Sequence, residues 1–258
     1  MEGITSQRQS LLRRAILPLL YAAALVLVCN RIAGSYFIEI EDRYASMVFG
    51  GAYGAYDPYV PAIHPLLGRL IAFLYGLAPA VNWLGVLLLA LVGIAGATAI
   101  SLAARRPGGL IPGLVVLTPI LVVLTCSLQS QVVAALCLVP GALSVLDGFQ
   151  DGRAGIRRVL LGVALCVLGA MLAMGKLWLL ALCVLLCGLV ALWRNKRRAA
   201  LIAGIVLVIV SVIVPSLLGM LDGDWLAYHR QYMAYERAQQ SPLREQVDAL
   251  LNAYGVEH

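Results

Sequence analysis

VNWLGVLLLALVGIAGATAISLAA, residues 81–104, is long enough for about six helical turns and holds not a single charged side chain. An amphipathic helix of a soluble domain buries one stripe and carries charge on the other face. Here neither face is polar, and about 20 apolar residues of helix suffice to cross a bilayer. The segment therefore predicts a transmembrane helix. Working outward, residues 15–38 and 199–221 read the same way, and residues 110–146 and 159–193 are too long for one crossing. S-L-Q-S-Q at 127–131 divides the first of these into spans 110–126 and 130–147. M-G-K at 174–176 divides the second into spans 159–174 and 177–193. The composition agrees, with 62% hydrophobic and 12% charged residues, against about 45–50% and 25% in soluble domains. A soluble globular fold is excluded, and the fold class expected is all-α, a polytopic membrane protein with about seven transmembrane helices.

Charge placement sets the orientation, because Lys and Arg beside membrane spans accumulate on the cytoplasmic side. With the amino terminus inside, four clusters face the cytoplasm: Arg8, Arg13 and Arg14; Arg105 and Arg106; Arg153, Arg157 and Arg158; Arg194, Lys196, Arg197 and Arg198. Most of the acidic residues, among them Glu39, Glu41, Asp42, Asp57, Asp222 and Asp224, then lie outside. This scheme requires that residues 61–78, bounded by prolines and carrying His64 and Arg69, do not cross. They are expected to form an interfacial helix within an external loop, residues 39–80, at a depth that suits Tyr53, Tyr56, Tyr59 and Tyr75. A crossing by 61–78 is the alternative, and it would invert every later loop. The chain is thus divided into a membrane domain, residues 1–221, and an external helical tail, residues 222–258.

The basic amino terminus followed by an apolar run could open a signal peptide, but Asn30, Arg31, Tyr36 and Phe37 follow it instead of a small-x-small cleavage site, so it is read as an uncleaved first span. The net charge of +6 resides in short clusters between spans, where orientation signals belong, and nucleic acid is not an expected partner. The six cysteines lie inside apolar runs with no C-x-x-C pair, and read as small packing residues.

Chemistry concentrates at E-I-E-D-R-Y, residues 39–44, directly after the first span. Carboxylates at a membrane exit can serve as a general base for a hydroxyl or as ligands for a divalent metal. Equally, Asp42 can cap a helix beginning at Arg43. The following G-G-A-Y-G-A-Y-D-P-Y-V-P-A-I-H-P, residues 50–65, offers tyrosine faces as sugar platforms, with Asp57 and His64 as further acid-base or metal candidates; an ordinary turn-rich loop is the plainer reading. Arg31 and Lys176 are cations where they can either snorkel to the headgroups or bind a lipid phosphate. Gln129 and Gln131 are read as satisfying a turn. In the tail, Trp225, Tyr228, Tyr232 and Tyr235 recur at helical spacing and form an aromatic stripe, packed on the bilayer or the first loop, while His229 and Arg230 can complete an outer cleft.

This order of features resembles the GT-C superfamily of integral membrane glycosyltransferases: one span, an acidic motif (Glu41 and Asp42) opening a large external loop with a membrane-lying helix, six further spans and an external segment. The loop G-A-Y-G-A-Y-D-P-Y-V-P-A-I-H-P-L-L-G and the tail W-L-A-Y-H-R-Q-Y-M-A-Y-E-R also resemble polytopic proteins of Gram-positive bacteria. The resemblance implies a bacterial cytoplasmic membrane protein with its carboxyl terminus outside. It further implies inverting transfer of a sugar from a polyprenyl-phosphate donor to a lipid, glycan or protein acceptor. Asp42 would take the acceptor proton with Glu41 as neighbour or substitute; Arg43, Tyr53, Tyr56, Asp57, His64, Lys176, Arg31, His229 and Arg230 would bind substrate. Two departures stand out: members of that superfamily continue with further spans, and Lys176 stands where an arginine is expected. The alternatives are a non-catalytic assembly partner, a truncated remnant, or a transporter or flippase module.

Overall fold

The computed structural model describes residues 16–52, 54–105, 108–151, 155–174 and 198–239. Helix α1, Leu17–Ala33, opens with Pro18 in its first turn and closes on Gly34, whose N–H still reaches the Asn30 carbonyl and whose φ of 74° then turns the chain out of the helix. Arg31 in the last turn suits the negative helix end. The first apolar run was expected to stay helical to residue 38. Instead Gly34 turns the chain into an extended pair, β1, Tyr36–Phe37.

Helix α2, Ile40–Phe49, follows, then α3, Pro65–Leu77, and α4, Trp83–Ala104. The start of α3 is set by His64, whose side chain accepts the Leu66 N–H, and by Pro65, whose fixed φ suits a first helical position. At the start of α4, Asn82 is a hub: its Oδ1 accepts from the Gly85 N–H, the Tyr75 hydroxyl and the Ser46 hydroxyl, so one cap ties α2, α3 and α4 together. Helix α5, Leu110–Cys126, leads into β2, Ser127–Leu128, and α6, Ser130–Gln150, is followed by α7, Ile156–Leu172. Helix α8, Arg198–Met220, and α9, Gly223–Gln239, complete the described elements.

Trp83–Ala104, Ser130–Gln150 and Ala199–Met220 are long and apolar enough to cross a membrane. The chain is a helical membrane protein. Exposed Ile111, Val115, Val116 and Val123 on α5 and Leu217, Leu218 and Leu221 near the end of α8 form the kind of apolar outer surface that lipid covers. Helix α3 has 13 residues, about 20 Å of helix, and exposes Leu66, Leu70, Phe73 and Leu77 along one stripe while Leu67, Ile71 and Tyr75 are buried.

Among the described helices, α6 and α7 pack most closely, because small residues recur at every seventh position along both. Gly148 faces Gly155, Gly141 faces Gly162, and Ala134 faces Gly169. A Cβ on Gly162 would stand 2.5 Å from the Gly141 carbonyl oxygen, and one on Gly155 would stand 1.9 Å from that of Gly148. In lipid, where apolar burial does not drive helices together, such close backbone approach is a main source of attraction.

The two ends of the bundle differ in kind. At one end β1 pairs in parallel with β2, Tyr36 with Ser127 and Phe37 with Leu128. This ladder was absent from the all-helical expectation; two chain segments leaving α1 and α5 side by side satisfy each other's backbone groups there. Also at this end the His64 N–H bonds to the Met171 carbonyl at 2.8 Å and the Met174 N–H to the Ala62 carbonyl at 3.0 Å. At the opposite end Arg105 and Arg158 share Asp147 and Asp151. Arg105 lies 3.4 Å and 3.5 Å from the two carboxylates, and Arg158 bonds to both. Those arginines hold the Asp151 carboxyl below its ordinary range.

Candidate functional site

Three segments distant in sequence converge at the first end on a cavity of about 540 Å³. Helix α2 supplies Glu41, Asp42 and Tyr44, the loop before α3 supplies Val60 to Ile63, and α9 supplies Tyr232. The volume falls in the usual range for small-molecule sites, which are mostly apolar with a few polar groups.

Asp42 was read as a possible cap for its own helix. The structure corrects this: α2 begins at Ile40, with Glu39 in the capping position and no side-chain cap bond. Asp42 sits in the first turn, only 3% exposed, and its Oδ2 accepts the Ser130 N–H at 2.9 Å. It caps α6 from across the fold, where Gln129, the residue at the cap position, makes no such bond. Burial raises the Asp42 carboxyl above its ordinary value, while hydrogen bonding from Ser130 pulls in the opposite direction. Glu41, one residue earlier, is exposed to the cavity, and the Gln131 side chain donates to it at 3.3 Å. Gln131 thus does more than close a turn: α6 presents consecutive donors to consecutive carboxylates.

Arg43 is exposed, with Nε turned back to the Phe37 carbonyl at 2.8 Å. Arg31, at the end of α1, and Arg230, on α9, are exposed as well. Tyr56 is half-exposed and leans on Gly51. Asp57 accepts the Tyr59 N–H at 2.9 Å, an Asx turn that shapes the loop. Tyr53 and Lys176, like residues 177–193, lie outside the described residues.

His64, expected among the substrate contacts, is built into the scaffold. It is 2% exposed, its Nδ1 accepts the Leu66 N–H, and its Nε2 lies 2.9 Å from the Pro215 carbonyl, which requires Nε2–H to donate. Gly219 keeps α8 close, since a Cβ there would meet the imidazole at 2.8 Å. Burial lowers the His64 pKa from its ordinary 6.5. The folded state therefore resists the proton that the unfolded state accepts. This contribution to stability is complete above about pH 6.5 and disappears as pH falls through that value toward the lowered folded pKa. The melting temperature is expected to drop between pH 7 and pH 5, and to drop less in His64→Gln. Equal pH dependence in the two proteins would contradict this account.

The tail helix α9 is fastened over the loop. Trp225, 3% exposed, donates through its indole N–H to the Val60 carbonyl at 3.2 Å. Asp222 pairs with Arg69 at 2.6 Å, and the hydroxyls of Tyr44 and Tyr228 meet at 2.9 Å. Burial, then the Tyr44 hydroxyl, push the Tyr228 phenol upward, so it stays neutral. Of the two packing surfaces considered for the aromatic stripe, the first loop is the one that receives Trp225. His229 stacks on Trp225 at 4.8 Å between ring centroids, and its Nδ1 is buried without a hydrogen-bond partner among the described residues.

Among the described residues no group of three or more His, Cys, Asp or Glu converges. A hard divalent cation takes six or more oxygen ligands, and one of the two carboxylates here already holds a backbone amide, so the pair alone does not make a metal site. Sequence reasoning missed Asn82 and Ser130. Asn82 was accessible as a polar residue directly before a long apolar run, whereas nothing local marks Ser130 as the partner of Asp42. Compared with family models, curated proteins and solved structures, the chain matches none of them.

Proposed function

We propose that the chain is a membrane glycosyltransferase that takes a sugar from a polyprenyl-phosphate donor at the outer face of a bacterial cytoplasmic membrane. One observation carries the reading: the acidic motif, the tyrosine-rich loop and the aromatic tail, the three segments that carry the resemblance to the GT-C superfamily, line a single cavity. In the mechanism, Asp42 accepts the proton of an acceptor hydroxyl as its oxygen bonds to the anomeric carbon. The bond from that carbon to the phosphate oxygen breaks on the opposite face, polyprenyl phosphate leaves, and the configuration inverts. A carboxyl raised by burial is a stronger base than a solvated one, which favours Asp42 for this role. Glu41 orients the acceptor beside it, Tyr56 and Asp57 are further substrate contacts, and exposed Arg43, Arg31 and Arg230 are cations for the donor phosphate. Tyr53, Lys176 and His229 are held as further contacts.

The reading includes seven crossings with the amino terminus inside. Helix α7 ends beside His64 and α8 begins beside Leu146, at opposite ends of the bundle, which is what a span at 177–193 requires. The arginine-rich end then faces the cytoplasm and the cavity faces out. The spans carry almost no charge at mid-depth, which disfavours a transporter.

The test supplies the purified protein in liposomes, together with a heat-inactivated bacterial envelope extract as the source of acceptors, with radiolabelled polyprenyl-phosphate mannose, glucose and N-acetylglucosamine in turn. Lipid-linked label should pass to acceptors in liposomes holding the protein, and Ala62→Trp, which fills the cavity, should stop it. Donor consumption equal to that of empty liposomes for all three sugars would refute the reading.

A further inference from the structure

The bond between Asp42 and Ser130 joins residues 88 positions apart, and both partners are almost fully buried. Their burial at a cavity wall has a chemical consequence beyond holding two helices together. A carboxylate removed from water is penalised, and only donors aimed at it offset that penalty. Ser130 supplies such a donor in its backbone N–H, 2.9 Å from the carboxylate. Because Ser130 opens α6, a helix of 21 residues, its N–H also brings the positive end of that helix onto the carboxylate.

We infer that the first amide of α6, the Ser130 N–H, positions Asp42, fixing its carboxylate at the cavity wall against the positive end of that helix. The titratable and charged groups around Asp42 are Glu39 before its helix and Glu41, Arg43 and Tyr44 on it, with Tyr232 across the cavity on α9. Helix α6 contributes only the neutral Ser130 and Gln131, and the loop at residues 60–63 contributes none. Arg43 directs its Nε to the Phe37 carbonyl. Ser130 is thus the nearest control on the proton of Asp42, and the assignment uses the glycosyl-transfer reading only for what that proton does.

The test is infrared titration of the protein in detergent. The protonated-carboxyl C=O band of Asp42 is identified by its absence in Asp42→Asn. In Ser130→Pro, which removes the amide and suits a first helical position, the midpoint of that band should move to higher pH, whereas Ser130→Ala, which keeps the amide, should leave it near the wild-type value. In liposomes given the three radiolabelled donors, Ser130→Pro should lose about tenfold in rate on the acid side of the pH profile and recover at alkaline pH. An unmoved midpoint in Ser130→Pro, or a loss of rate uniform across pH, overturns the inference. If instead Asp42→Asn retains transfer while the midpoint still moves, the catalytic reading falls and the positioning of Asp42 by Ser130 stands.

Discussion

Asp42→Asn is expected to lower glycosyl transfer by about a thousandfold, the middle of the range for removing a general base, without unfolding the protein. The two halves of this expectation come from the same geometry. An asparagine side-chain oxygen can still accept the Ser130 N–H that Asp42 accepts at 2.9 Å, so the cap on α6 survives. Burial raises the Asp42 carboxyl, which means the ionised form is disfavoured in the fold and a neutral amide in its place carries no such penalty. Initial rates in liposomes give the first half, and circular dichroism with thermal melting in detergent gives the second. Transfer at the wild-type rate would remove Asp42 from the mechanism, and loss of helix would show that its role is structural.

Gly162→Leu should damage the fold strongly, costing about 3 kcal/mol, the upper part of the range for overpacking a filled core. The Cβ alone would stand 2.5 Å from the Gly141 carbonyl oxygen and 2.9 Å from the Val145 amide nitrogen, both backbone atoms that no rotamer change can move. Helices α6 and α7 would have to separate. Because α6 carries Ser130 at its other end, the separation should also reduce transfer. Gly93→Ala is the matched control: a Cβ there meets only a Val26 methyl at 4.0 Å. Melting temperatures in detergent decide the comparison, and similar values for the two variants would contradict the packing account.

The helices were legible because their signals are local. Apolar runs broken by S-L-Q-S-Q predict the boundary between α5 and α6, and Asn82, although overlooked, marks a helix start by chemistry confined to a few residues, as Pro65 does. The acidic motif was legible as a cluster of carboxylates, and it lines the cavity. What could not be read were relations between distant residues. Asp42 looks like a cap for its own helix, and only tertiary packing reveals that it caps another. His64 looks like an acid-base candidate until Pro215 and Leu66 are seen to occupy both ring nitrogens. Tyr36–Phe37 continues an apolar run, and becomes a strand because Gly34 ends the helix and Ser127–Leu128 lies alongside. The facing glycines of α6 and α7 lie between these cases: their seven-residue spacing is visible in each helix, but their pairing requires the hairpin.

In the proposed orientation the cavity end of the bundle faces out of the cell and the end with Arg105 and Arg158 faces in. Ala55 is exposed in the loop that borders the cavity and Gly109 starts α5 at the other end, so Ala55→Cys and Gly109→Cys, each in a chain with its native cysteines replaced by serine, report the two surfaces. A membrane-impermeant maleimide applied to intact cells should label position 55 at once and position 109 only after the membrane is opened. Labelling of 109 in intact cells, with 55 protected, would contradict the account.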